Sequence, residues 1–203
     1  MDVLDQLKQA PDALLILKKF EHFLQEEAEK KAAFLARVHE NQKAEFINGG
    51  IFLHSPVRMA HLRVSSRLSH QLMNHIEKCD LGFVGIEKMM IALTRNYYEP
   101  DIVFFRKEVA ERFQDAQKLF PAPDLVVEIL SESTRQNDYG IKFQDYAAHG
   151  VGEYWIVDAE AAQLEQYALL NESFVLQARL GPQDTLQALV IPQFVLPLAG
   201  IFG

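Results

Sequence analysis

Two stretches of the chain set a carboxylate directly after a proline at the mouth of an apolar run: Tyr98-Glu-Pro-Asp-Ile-Val-Phe-Phe-Arg and Pro121-Ala-Pro-Asp-Leu-Val-Val-Glu-Ile-Leu-Ser. The second run also holds Glu128 in its middle. Side chains alternate along a strand, so Asp124, Val126, Glu128 and Leu130 share one face and Leu125, Val127 and Ile129 the other. An ionised carboxylate among Val, Ile and Leu is costly unless it is paired or bound to a cation, so Glu128 requires a partner. With the Asp101 strand alongside, Asp101 and Glu128 converge on one divalent ion, and Asp124 stands near as an accessory ligand or a turn former. Oxygen ligands without cysteine favour Mg²⁺ or Mn²⁺ over zinc. Such an ion polarises a phosphate, generates hydroxide from water and holds a leaving oxygen. Lys142, further on, reaches back in this reading to orient the water or to offset developing negative charge. The same spacing also admits a purely structural arrangement, with Glu128 salt-bridged to Lys142 or Arg135 and with Asp101 and Asp124 ending turns.

The elements that must position these groups follow from pattern. Pro11 to His39 contains no glycine and is built of good helix formers, which predicts a long helix. Its heptad lines (Leu14, Glu21, Ala28, Leu35 and Leu17, Leu24, Lys31, Val38) include two charged positions, so it reads either as an amphipathic helix laid on its own domain or as a dimerisation arm. Glu45 to His54 reads as two short strands joined at Asn48-Gly49. Pro56 to Cys79 returns to helical spacing through Val64, Leu68, Leu72 and Ile76, and carries His61 in its first turn. Strands are expected near Val84, over Met89 to Leu93, Ile102 to Arg106 and Leu125 to Leu130, then a helix from Tyr139 to His149. Strands follow from Glu153, Leu164 and Phe174. The order predicts a mixed α/β domain with one main sheet, divided as an N-terminal helical extension over residues 1–40 and a domain over 41–203.

The chain has 203 residues, 20 Lys and Arg against 28 Asp and Glu, and a formal charge of −8. Bulk attraction to nucleic acid is therefore excluded, and any polyanion must meet a local basic site, for which Arg58, Arg63, Arg67, Arg135 and Lys142 are available. Residues 1–40 hold eight acids and six bases, which leaves −6 to the remainder. The single cysteine, Cys79, forms no intramolecular disulfide, which points to a reducing, cytoplasmic location. Apolar runs of four or five residues predict no membrane span. His70 and His75 are five apart and do not form the paired ligands of a helical zinc site. Neither a Gly-x-Ser-x-Gly elbow nor a phosphate-binding Gly-rich loop is present.

The run Pro123 to Thr134, then Asp138, Lys142 and Tyr146, then Gly150-Val-Gly-Glu-Tyr-Trp-Ile-Val-Asp resembles the Uma2 family (the DUF820 domain). The likeness is specific over Glu99 to Asp158 and reaches back to the Glu45 hairpin and His61. The resemblance implies a restriction-endonuclease-like core of the PD-(D/E)XK type, with a mixed central sheet flanked by helices. It further implies metal-dependent hydrolysis of nucleic acid, DNA in the first instance, with Mg²⁺ or Mn²⁺ as cofactor. Asp101 and Glu128 become the catalytic, metal-holding acids, and Glu45 and His61 accessory groups. Leu130 stands where the superfamily commonly has lysine, so the resemblance assigns that role to Lys142. The long helix is not part of the pattern. A homodimer is expected, and a nuclease fold that binds or assembles without catalysing is the alternative.

Overall fold

The structure, a computed structural model, describes residues 3–39 and 42–203; the expected junction at 40/41 lies outside the described residues. Val3–Gln9 (α1) and Ala13–Arg37 (α2) are helical. The hairpin of β1 (Ala44–Ile47) and β2 (Gly50–Leu53) turns through Asn48 and Gly49 at φ of 49° and 80°, as a two-residue turn between twisted strands requires. The next elements are α3 (Met59–Cys79), β3 (Gly82–Ile86), β4 (Met90–Ala92), β5 (Tyr97–Tyr98), β6 (Ile102–Arg106), α4 (Lys107–Ala110), β7 (Leu119–Phe120) and β8 (Leu125–Ile129). After α5 (Arg135–Tyr139) and α6 (Ile141–Ala148) come β9 (Glu153–Asp158), β10 (Gln163–Leu170), β11 (Ser173–Leu180), β12 (Thr185–Gln187), β13 (Val195–Pro197) and α7 (Ala199–Phe202).

The expected main sheet is six-stranded and mixed, in the order β11-β10-β9-β8-β6-β3, and beside it the structure has a five-stranded sheet β2-β1-β5-β4-β7 and a β12-β13 ribbon that the sequence reading did not separate. Pro100 interrupts the run from Tyr97 to Arg106, so β5 pairs with the hairpin while β6 enters the main sheet. The helix expected from Tyr139 to His149 is α6, Ile141–Ala148, and a further short helix, α5, precedes it across a break at Gly140, where a Cβ would lie 2.6 Å from the Gln136 carbonyl oxygen.

The main sheet is apolar on both faces. Leu125, Val127 and Ile129 pack with Val64, Leu68, Leu72 and Ile76 of α3, and Leu186, Leu196 and Ile201 close that layer. Val126 and Leu130 face the other way, onto Tyr146 of α6, Tyr154, Tyr98 and Ile47. The smaller sheet lies over this second face, since Ile47 of β1 joins that cluster while Ala44 and Phe46 point outward to Phe34 of α2. Helix α2 is tied down through its second half, by Phe34 and by Glu27, which accepts three hydrogen bonds of 3.0–3.1 Å from Arg95. The buried residues of α2, Glu27 and Phe34, stand outside both expected heptad lines, and Leu14, Leu17, Phe20 and Leu24 remain exposed. Among the described residues no helix is long and apolar enough to cross a membrane. Cys79 is free and exposed.

Candidate active site

Strands β6 and β8 are antiparallel with Ile102 opposite Val127 and Val103 opposite Val126. One step further in the same register sets Asp101 opposite Glu128. Side chains so placed share a face, so the strand adjacency that the sequence reading required is present. Asp101 Oδ2 accepts the Ile129 N–H at 2.8 Å, which fixes the carboxylate across the strand pair. Both acids are buried, yet both line an open cleft of about 300 Å³. Its walls include Lys43, His54, His61 and the Ser131, Ser133 and Thr134 hydroxyls.

Behind Glu128 lies an enclosed ion cluster. Spacing of four sets Asp138, Lys142 and Tyr146 on one side of α5 and α6. Lys142 Nζ, fully buried, stands 3.0 Å from Glu128 Oε1, 2.9 Å from Glu45 Oε1 and 3.2 Å from Asp138 Oδ1. Tyr146 donates to the same Glu128 oxygen at 3.3 Å. Glu45 further accepts the Glu99 N–H at 3.1 Å and lies 3.2 Å from His54 Nε2. Burial works against ionisation of Glu45, but Lys142 and His54 outweigh it and hold its carboxyl at about 2. Burial pushes Glu128 well above the usual carboxylate range, reinforced by Asp138, Asp101 and Glu45 and opposed by Lys142. Asp138 is raised as well, by burial against the pull of Lys142. Lys142 thus partners Glu128 as expected, but it does not line the cleft; its ammonium is enclosed, out of reach of an entering water or phosphate.

The cleft has a different lysine. Lys43 Nζ donates to Asp101 Oδ1 at 2.6 Å, and His61 Nε2 stands 3.6 Å from that oxygen. Burial opposes the charge on Asp101, but His61 and Lys43 together hold its carboxyl below the ordinary aspartate range. Lys43 is itself raised: burial lowers it, and attraction to Asp101 and Glu128 overcomes that. Sequence reading passed over Lys43 and His54. Lys43 sits two residues before Glu45, and the alternation that turns Glu45 toward the main sheet turns Lys43 the same way.

Of the accessory candidates, Glu45 and His61 join the cluster and Asp124 does not. Asp124 accepts the Arg106 N–H at 2.8 Å and pairs with the Arg106 guanidinium at 2.6 Å, so its carboxylate is taken up by the end of β6, about 13 Å along the strand from Glu128. The anticipated basic rim also needs correction. Lys142 is enclosed, Arg67 donates to the Ile201 and Gly203 carbonyls, Arg135 is paired with Asp158, and Arg58 with Glu132 and Glu160. Arg58 and Arg135 line an adjoining cleft of about 340 Å³ beside Ser131 and Ser133. His70 and His75 contact Asn74 and the Pro192 carbonyl, and neither enters the site.

Four carboxylates (Glu45, Asp101, Glu128, Asp138) face two ammonium groups (Lys43, Lys142) in this cluster. Fully ionised it carries two surplus negative charges, which add to the burial that pushes Glu128 and Asp138 upward. One divalent cation would offset it. Among the described residues no three His, Cys, Asp or Glu side chains gather as a ligand set. Two carboxylates, with water and phosphate completing the shell, match how Mg²⁺ is commonly bound. The donors fit that ion.

A mixed sheet flanked by helices, with paired acids on adjacent central strands, defines an α/β domain of the restriction-endonuclease-like class. The Uma2 family model, described as "Putative restriction endonuclease", matches residues 20–199, and the chain belongs to that family. The match begins inside α2. A crystal structure of a "putative nuclease belonging to DUF820" from Anabaena variabilis has the same fold, with a TM-score of 0.70 at 18% identity over 83% of this chain and 94% of that one. The uncharacterised protein slr1290 of Synechocystis sp. is 30% identical over 131 residues, 63% of this chain and 67% of that one.

Proposed function

We propose that this protein is a metal-dependent nuclease that hydrolyses phosphodiester bonds in nucleic acid, DNA in the first instance, with Mg²⁺ or Mn²⁺ held by Asp101 and Glu128. The observation that carries the reading is the opposition of these two acids in the β6–β8 register, at the floor of a cleft. The family's description, and the name of the Anabaena structure, point to the same chemistry. When bound, the ion supplies Lewis-acid activation of the phosphate and of water. The protein's part is to fix the acids. Ile129 N–H aims Asp101, while Lys142 and Tyr146 aim Glu128. Glu45 and Asp138 hold Lys142 from behind, which makes it a positioning residue. In the reaction a water oxygen bonds to phosphorus as the bond to the leaving oxygen breaks; one water proton leaves to solvent and the leaving oxygen takes one up. Incubation of the full chain with plasmid DNA and with an RNA oligonucleotide, with and without Mn²⁺, tests it. Cleavage in Mn²⁺ that vanishes in Glu128→Gln is expected; equal cleavage by that variant would rule the site out.

A second reading, a non-catalytic assembly protein that dimerises through α2, is favoured by the exposed Leu14, Leu17, Phe20 and Leu24. Replacing all four by serine halves the mass measured by light scattering if the second reading holds, and leaves it unchanged if it does not.

A further inference from the structure

Two lysines bracket the Asp101–Glu128 pair from opposite sides, and they differ in access. Lys142 has a side-chain exposure of 0% and three carboxylates around it; Lys43, whose side chain is 20% exposed, lines the cleft. Among the described residues of that cleft, Lys43 alone is a lysine or arginine. A phosphate entering against Asp101 and Glu128 therefore meets one ammonium group. In a cluster with surplus negative charge, and a chain of net charge −8, that cation is the lysine placed to offset a phosphate at Asp101 and Glu128.

We propose that Lys43 is a catalytic residue of this cleft, whose ammonium hydrogen-bonds a non-bridging oxygen of the scissile phosphate. The inference rests on the nuclease reading above and assigns the lysine role to the hairpin rather than to the motif helix. At rest Lys43 is held on Asp101 Oδ1 at 2.6 Å, the same carboxylate that would bind the ion. A divalent cation held by Asp101 would compete with the ammonium for that carboxylate and would free Lys43, on its flexible four-carbon stem, to reach a phosphate in the cleft. It keeps its proton throughout and stabilises the charge that grows on the phosphate oxygens as the water oxygen attacks.

The test compares the full-length wild type with Lys43→Met and Lys43→Arg. Mn²⁺ binding is read by calorimetry, and kcat and KM are measured on whichever of the plasmid and the RNA oligonucleotide the wild type cleaves. Expected for Lys43→Met is Mn²⁺ binding as tight as wild type or tighter, because a competing cation is gone, with kcat lower by about 10²–10³-fold. Lys43→Arg, which keeps the charge, recovers part of that loss. Wild-type kcat in Lys43→Met with Mn²⁺ bound overturns the assignment alone, and so does loss of Mn²⁺ binding, which marks a structural role. A wild type that binds Mn²⁺ but cleaves neither nucleic acid overturns the nuclease reading and this assignment together.

Discussion

Asp101, one residue before β6, accepts the N–H of Ile129, the residue after Glu128, on its Oδ2 at 2.8 Å, and the β6–β8 register continued by one step sets it opposite Glu128. The two acids are thereby coupled through backbone, so that neither can turn without the other's strand. The rest of the cluster divides around them. Lys142, Glu45 and Asp138 form a closed charge network on the α6 side, and Lys43 and His61 face the cleft.

Removing the enclosed cation should be severe. Lys142→Met takes from Glu45, Glu128 and Asp138 the ammonium they share, leaving only His54 beside Glu45 and the attraction of Lys43 to Glu128, a change expected to cost about 3–5 kcal/mol at pH 7. The three acids can relieve the penalty only by protonating, so the loss grows as pH rises above the unfolded carboxylate value. Urea denaturation at pH 5 and pH 8 checks this: the gap from wild type must be wider at pH 8.

Glu45 has the opposite pH signature. Its carboxyl is held at about 2 against an ordinary 4.5, so its stabilisation is fully present above about pH 4.5 and is lost as pH falls toward 2. The stability difference between wild type and Glu45→Gln should therefore shrink on acidification from pH 5 to pH 2.5, by an amount on the order of 2 kcal/mol. Melting temperatures of the pair across that range decide it, and a constant difference would show that Glu45 carries no such linkage.

The apolar part of the α2 attachment rests on one aromatic, beside the Glu27–Arg95 pair. Phe34 is 2% exposed and its ring centroid lies 5.8 Å from that of Phe46. Phe34→Ala should cost up to about 3–5 kcal/mol, and should open the helix to protease ahead of the domain. Limited proteolysis with mass spectrometry reads the cleavage positions; cuts within α2 are expected in the variant before any in the main sheet.

Much of this site is legible in the chain because strand alternation is rigid. The faces of Asp124 to Leu130 follow from a period of two, and the need of Glu128 for a partner follows from its apolar neighbours. The two-residue turn at Asn48-Gly49 and the stripe from Val64 to Ile76 are equally local signals. What escapes is long-range. Pairing of β1 with β5 rather than with the main sheet joins residues about 50 apart, which no local pattern encodes. Lys43 meets Asp101 across 58 positions for the same reason. Burial of Lys142 depends on three acids from three elements; the Glu128 pairing is readable from the apolar strand around that acid, whereas the approach of Glu45 from β1 and of Asp138 across the break at Gly140 is set by the fold.

The central claim is that Asp101 and Glu128 together hold a divalent cation. Calorimetric titration of Mn²⁺ into the wild type, Asp101→Asn and Glu128→Gln tests it most directly, because both substitutions keep shape and remove charge. One Mn²⁺ per chain in the wild type, with binding lost in each variant while far-ultraviolet circular dichroism is unchanged, is the predicted result. No heat of binding at millimolar Mn²⁺ in the wild type, or wild-type affinity in either variant, would contradict it.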